Sequence, residues 1–223
     1  MIDEQFAPRS GDNDNGKVAH ARKNGIYELF VLGELMDGPH HGYELREILS
    51  RMMGPFRHIS WGVLYPLIRQ LEGEGLIALD EGTGVEMPVP PSGGKQRKSY
   101  HITGSGRKQF YALMAESDEF SVDYPQLFMV KLNNFDHITV EQQLTILWHY
   151  RDYLRSIDLY LQGGRQYVLT NADVPDNQRA HILRTIGYRT SSVQAEITWI
   201  DSEIADVGSK QSKHSNVTEE RYE

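Results

Sequence analysis

Apolar positions recur at helical spacing from Ile26 onward, and the stripe Leu29, Leu32, Leu35 and Met36 predicts a first helix. Asp37-Gly38-Pro39 stops it by turn chemistry. A second helix is expected from near His41 to about Met53, with Tyr43, Leu45, Ile48, Leu49 and Met52 available to a core. Ser60 stands where an N-cap would, ahead of Val63, Leu64, Leu67, Ile68 and Leu71, so a third helix is expected there, closed by Gly73 and Gly75. Pro66 needs some local adjustment if that helix begins at Ser60, and sits comfortably near the first turn if it begins later. Leu76 to Asp80 and Lys98 to Ile102 read as strands on either side of the Gly/Pro-rich stretch 82–94, a hairpin with a long tip. Thr103 then caps a fourth helix running to about Glu116. Three helices, a hairpin and a helix follow the order of a winged helix-turn-helix.

Beyond a linker region with Pro125 the period stays helical. From Thr139 to Val168 one stripe is Val140, Leu144, Leu147 and Leu154, and a second is Ile146, Tyr150, Tyr153, Ile157 and Tyr160. Two apolar faces on one helix predict packing on two sides. From Pro175 to Val207 a near-heptad seam runs through Ile182, Ile186, Val193, Ile197, Ile200 and Ile204, interrupted by Arg189 and Thr190. Such seams belong to antiparallel helix pairs or dimer interfaces. The surplus face predicts a homodimer. The fold class expected is therefore mainly α with a small β-hairpin: an N-terminal winged helix-turn-helix plus a C-terminal helical dimerisation domain. The expected divisions are a disordered arm over 1–25, the winged helix-turn-helix domain over 26–116, the helical domain over 125–207 and a flexible tail over 208–223. The arm is expected to be disordered because GDNDNG and its neighbours carry too little apolar surface to offset chain entropy.

Composition changes this picture mainly by exclusion. None of the 223 residues is cysteine, which removes disulfides, thiolate metal sites and thiol nucleophiles together. No signal peptide and no long apolar run is visible, so a cytoplasmic protein without a membrane span is expected. The net charge of −8 is unevenly spread: residues 1–115 carry 14 acids and 13 bases, whereas 116–223 carry 17 acids and 10 bases. Within the first half, 48–71 holds Arg51, Arg57 and Arg69 and no acid, and 91–115 holds Lys95, Arg97, Lys98, Arg107 and Lys108 and no acid. Two basic blocks in one small domain point to a surface facing phosphate.

HHGYEL ending at Leu45, SWGVLYPLIRQLEGEGLI from Ser60 to Ile77 and RKSYHITGSGRKQF from Arg97 to Phe110 resemble the PadR-type transcriptional regulators. The resemblance covers residues 26–116 closely and runs more loosely to AEITWIDSEI at Ala195–Ile204, which is similar to the terminal dimerisation helix of the longer, virulence-activator-like members. It implies a DNA-binding winged helix, a helical dimerisation domain and usually a repressor released by a small aromatic or toxic compound. The wing tip, with MPVPP at Met87–Pro91, is longer and richer in proline than the family pattern.

On this frame the third helix presents Ser60 and Trp61 to the bases, Gly62 allows close approach, Tyr65 donates to a phosphate and Arg69 contacts the backbone of the duplex. Lys95, Arg97 and Lys98 reach phosphates or the adjacent minor groove from the wing, and His41 and Tyr43 add contacts at the start of the second helix. Trp61, Tyr65 and Tyr43 are equally the kind of residue that fills a core. In the carboxy-terminal half, Trp148, Tyr150, Tyr153 and Tyr160 are candidates to stack on a phenolic effector, against the simpler reading of aromatic core. No metal site or cofactor is expected: the nine histidines are scattered, and Gly104-Ser105-Gly106 has Gln109 where a dinucleotide fingerprint needs glycine. The partners expected are an inverted-repeat operator duplex, a second copy of the chain and a small aromatic effector. An enzyme is not expected, and a winged-helix module that binds an acidic protein instead of DNA remains the alternative.

Overall fold

The computed structural model describes residues 12–54, 59–80, 98–117 and 119–219, with side chains from 25 to 209 within those ranges. The chain separates into two compact units, 1–116 and 117–223. In the first, the elements are α1 (Asp12–Asp37), β1 (His40–His41), α2 (Gly42–Met52), α3 (Trp61–Gly73), β2 (Ile77–Leu79), β3 (Ser99–Ile102) and α4 (Gly104–Ala115). Leu29, Phe30, Val31 and Leu32 are all buried, so α1 has no solvent face there, and α4, α3, β3 and α2 pack around it. Leu45 and Leu49 of α2, Leu64, Ile68 and Leu71 of α3 and Phe110 and Met114 of α4 complete that core. A winged helix-turn-helix is what these elements make.

The small sheet is antiparallel in the order β1-β3-β2, with Ile77 opposite Ile102 and His40 opposite Tyr100. The sequence suggested only a two-stranded hairpin. His40 and His41 are too short a run to show alternation, and they form a strand because β3 offers them a free edge. The wing tip lies outside the described residues. Thr103 caps α4 by accepting the Gly106 N–H at 3.0 Å, and its own N–H donates to the Leu76 carbonyl at 3.0 Å. At Gly106 an added Cβ would fall 2.0 Å from that carbonyl. Gly106 therefore has a structural purpose: α4 begins hard against the backbone that leaves α3.

The helix α1 begins at Asp12 rather than at Ile26, where the sequence divided arm from domain. Ala19, Ala21, Arg22 and Lys23 are good helix formers, and extending a formed helix costs far less than nucleating one. Residues 1–11 lie outside the described residues.

The second unit holds α5 (Tyr124–Asn133), a single 3-10 turn at Phe135–His137, α6 (Val140–Thr170) and α7 (Asp176–Glu219). The linker expected around Pro125 is instead the first turn of a helix, where a missing amide hydrogen leaves no bond unmade. Thr139 and Gln142 cap α6 reciprocally, with Thr139 N–H donating to Gln142 Oε1 at 3.0 Å. Both faces of α6 are used. Leu144, Leu147 and Leu154 are buried, and Ile146 and Tyr150 are buried on the other stripe, which emerges into solvent by Tyr160. Helices α6 and α7 form an antiparallel hairpin closed by Arg179, whose guanidinium donates to the carbonyls of Val168, Asn171 and Val174. The helix α7 continues past Val207, where a tail was expected, as far as Glu219. No helix among the described residues is long and apolar enough to cross a membrane.

Candidate nucleic-acid interface

Amphipathic packing decides which residues of α3 are available. Leu64, Leu67, Ile68 and Leu71 turn inward, and Trp61, Gly62, Val63, Tyr65, Pro66 and Arg69 are left on the open face. From Ser60 to Leu71 the helix contains no acid, and its amino-terminal end carries the positive pole of the helix dipole. Ser60 caps it through backbone alone: its carbonyl accepts Val63 N–H at 3.1 Å, while its hydroxyl makes no capping bond. Because α3 begins at Trp61, Pro66 falls in its second turn and cannot donate to the Gly62 carbonyl. Gly62 thus presents bare backbone. An added Cβ there would meet nothing nearer than Ser60 Oγ at 3.7 Å, so no packing within the described residues requires glycine.

Trp61 is 42% exposed, Tyr65 48% and Tyr43 41%, which takes all three out of the core. The Arg46 guanidinium lies 4.8 Å from the Trp61 ring centre and that of Arg69 lies 5.0 Å from the Tyr65 ring. Cations over these faces hold both rings in place and add positive charge beside them. An open groove of about 200 Å³ runs between them, edged by His41, Tyr43, Trp61, Tyr65, Lys98 and Tyr100. At its floor Gly42 gives room: a Cβ there would meet Ile68 Cδ1 at 3.6 Å and Trp61 Cζ3 at 4.0 Å.

Beside this rim the Glu44 carboxylate is already engaged. Glu44 Oε2 accepts the His41 amide at 2.8 Å, and Tyr43 donates to Oε1 at 3.2 Å. Burial works against the charge of Glu44, but those two bonds and the neighbouring imidazoles hold its carboxyl below the usual range. The His41 ring stacks on Tyr43 with centres 5.5 Å apart.

The fold therefore gathers His41, Tyr43, Trp61, Tyr65 and Lys98 at one groove, with Arg69 over Tyr65 and Ser60 and Gly62 on the same helix end. Lys95 and Arg97 lie outside the described residues. Sequence reasoning passed over Arg46 and Tyr100. Arg46 follows Tyr43 at the three-residue spacing of one helix face, which is the signal that could have found it.

Residues 31–112 match the transcriptional regulator PadR-like family. The amino-terminal unit is a PadR-like transcriptional-regulator domain. No curated protein matches the chain. Solved structures similar to it include PadR of Bacillus subtilis in complex with operator DNA, 18% identical over 81% of this chain and 98% of that one, with a TM-score of 0.35. The same protein in complex with p-coumaric acid is 16% identical over 83% and 97%, also at 0.35. The PadR-like regulator BC1756 of Bacillus cereus is 21% identical over 82% and 99%, at 0.31. Such distant likeness transfers no contact and no ligand.

The unit that follows the PadR-like domain contains an aromatic cluster and a cavity. Tyr150 stacks on Phe128, ring centres 3.7 Å apart, and its hydroxyl donates to Glu196 Oε2 at 2.8 Å. Burial first, and then that bond, push the Tyr150 hydroxyl well above its ordinary pKa. Beside it is a cavity of about 190 Å³, walled by Tyr153, Leu154 and Ile157 on α6 and by Tyr188, Arg189 and Glu196 on α7, with Pro125, Ser192 and Val193 also lining it. Burial and the Glu196 charge raise the pKa of Tyr153, and Arg189 works the other way. Of the four effector candidates only Tyr153 lines this space. Tyr150 lies behind it, while Trp148 and Tyr160 are 44% and 81% exposed and line no part of it. Helical spacing put Tyr150, Tyr153 and Tyr160 on one stripe, but α5 covers only the early part of α6. The dimer seam divides too. Val193 and Ile200 are buried within the single chain, and Ile182, Ile186, Ile197 and Ile204 are half-buried.

Proposed function

We propose that the protein is a homodimeric, sequence-specific DNA-binding repressor, released from its operator by a small aromatic effector. The observation that carries the DNA reading is the open face of α3. It is acid-free, and at Gly62 it is bared to the backbone where no contact among the described residues asks for glycine. An amino-terminal helix end of this kind suits entry into a major groove, with Ser60, Trp61 and Gly62 next to base edges. Tyr65, Arg69, Lys98, His41 and Tyr43 flank that end and serve the phosphates, joined from the wing by Lys95 and Arg97.

A two-fold dimer sets two such helices on an inverted repeat. The half-buried Ile182, Ile186, Ile197 and Ile204, together with the exposed Leu159 and Tyr188, support association through the carboxy-terminal unit. An effector that binds better to the DNA-incompetent arrangement lowers operator affinity by that difference in binding energy.

Fluorescence anisotropy with the promoter duplex upstream of the protein's own gene tests this reading, against a random duplex and across salt concentrations. A preference on the order of a thousandfold and a steep fall of log affinity with log salt are expected. Equal, weak binding to both duplexes without a salt slope overturns it and leaves the wing to an acidic protein partner.

A further inference from the structure

We propose that α3 reads its operator through the methyl groups of thymine, with Trp61 and Val63 as the residues that choose the bases. The inference deepens the repressor reading above and rests on it. What a recognition helix can read follows from the side chains on its leading turns. From Ser60 to Ile68 the chain offers no Arg, Lys, Asn, Gln, Asp or Glu. A bidentate pair to guanine needs Arg or Lys and one to adenine needs Asn or Gln, so neither can come from the first two turns of α3. Arg69 stands in the third turn, with its guanidinium over the Tyr65 ring.

What those leading turns expose is apolar. Trp61 and Val63 are 42% and 44% exposed, although Leu64, Leu67 and Ile68 beside them are buried. The two stand about 100° to either side of Gly62 around the helix axis. A major groove is about as wide as one helix, so a helix that enters it backbone-first at Gly62 brings both flanks against base edges. The apolar group those edges present is the thymine 5-methyl. Guanine in the same place would set its O6 and N7 acceptors against apolar side chains and leave them unpaired.

The indole is already fixed for this contact. Its Cζ3 would lie 4.0 Å from a Cβ at Gly42, and the Arg46 guanidinium lies 4.8 Å from its ring centre. Held between α2 and that cation, the ring has little rotamer freedom left to lose on binding. Arg46, Arg69 and Lys98 lie around the apolar contacts and carry the charge that suits the phosphates outside them.

Selection by the full chain from a pool of random duplexes supplies the site for the test. Deoxyuridine then replaces thymine one position at a time, which keeps the base pair and removes only the methyl group. At one or two positions in each half-site the exchange is expected to weaken binding about fourfold, the worth of one buried carbon. Val63→Ala and Trp61→Ala are each expected to abolish the penalty at one of those positions, a coupling that neither a general loss of stability nor a lost phosphate contact produces. Arg46→Gln is expected to shrink the penalty that depends on Trp61 and to spare the one that depends on Val63; an equal fall in both overturns Arg46 as a positioning residue. Selected sites that bind equally well with thymine and deoxyuridine, penalties that survive both alanine variants, or a requirement for guanine opposite Trp61 and Val63 overturn the thymine reading and leave the repressor standing. A pool from which no sequence is enriched overturns the repressor reading and this inference with it.

Discussion

Two pairs of aromatic residues at helical spacing meet opposite fates. Trp61 and Tyr65 on α3 are 42% and 48% exposed, each covered on one face only by a guanidinium. Tyr150 and Tyr153 on α6 belong to a cluster in which Tyr150 is 5% exposed, stacked on Phe128 and hydrogen-bonded to Glu196. The residue types are alike, and both spacings, four residues and three, are those of one helix face. What differs is whether another element lies across the stripe: α5 covers that of α6, whereas α3 commits its leucine face to the core and leaves its rings outside. Aromatic periodicity thus reports which residues share a face, and the packing partner decides whether that face is core or contact surface.

The contrast can be broken most severely from the buried side. Phe128→Ala removes the ring stacked on Tyr150 and is expected to destabilise the carboxy-terminal unit by about 3–5 kcal/mol, read by urea denaturation. Trp61→Ala is expected to change stability far less while it weakens operator binding. A comparable loss of stability from both would erase the distinction between the two pairs.

A second test strikes the frame that holds the exposed pair. Gly106→Ala places a methyl group 2.0 Å from the Leu76 carbonyl, forcing α4 away from the backbone that leaves α3. A loss of about 3 kcal/mol in the thermal unfolding of the amino-terminal unit is expected. An unchanged melting temperature would mean that α4 can shift freely there.

Tyr150→Phe keeps the stack and deletes the bond to Glu196, for an expected cost of about 1 kcal/mol. It also carries a pH signature. Because the folded state raises the Tyr150 pKa above its ordinary value of 10.0, the folded protein holds that proton more tightly than the unfolded chain. The resulting stability is present below about pH 10 and is lost as pH rises beyond it. Urea midpoints between pH 8 and 11 should therefore fall more steeply for the parent than for Tyr150→Phe, and parallel curves would remove Tyr150 as their cause.

Gly62→Ala gives the smallest effect on stability and the opposite sign. A methyl group fits there, and alanine favours the helix over glycine by roughly 0.5–1 kcal/mol, so the variant should melt later than the parent. Operator affinity should nevertheless fall by tenfold or more if bare backbone meets the duplex. A more stable variant with unaltered affinity would detach this position from DNA recognition.

Much of the first unit is legible in the chain. The leucine stripes place α2, α3 and the later part of α1 without reference to any partner, and Ser60 and Thr103 mark two helix starts, Ser60 through its backbone carbonyl and Thr103 through its side chain as well. The site is partly legible for the same reason: once α3 turns Leu64, Leu67, Ile68 and Leu71 inward, Trp61, Gly62, Tyr65 and Arg69 must face out. The two-residue strand β1 was hidden, since its register is set entirely by β3. Arg46 was hidden because the ring it covers lies on another helix. Pro125 misled, because the same proline that breaks a helix interior is neutral in a first turn.

Local periodicity and capping chemistry act within a dozen residues, so the amino-acid sequence by itself determined α2, α3, α4, α6, most of α7, the later part of α1 and the strands β2 and β3. Whether an outward face stays outward depends on what folds back over it, and that is a contact between residues far apart in the chain. Tertiary structure alone therefore decided that Val193 and Ile200 close a hairpin within one chain and that Tyr150 is core. The same long-range packing set Tyr153 beside Arg189 and Glu196 around a cavity that none of their spacings announces.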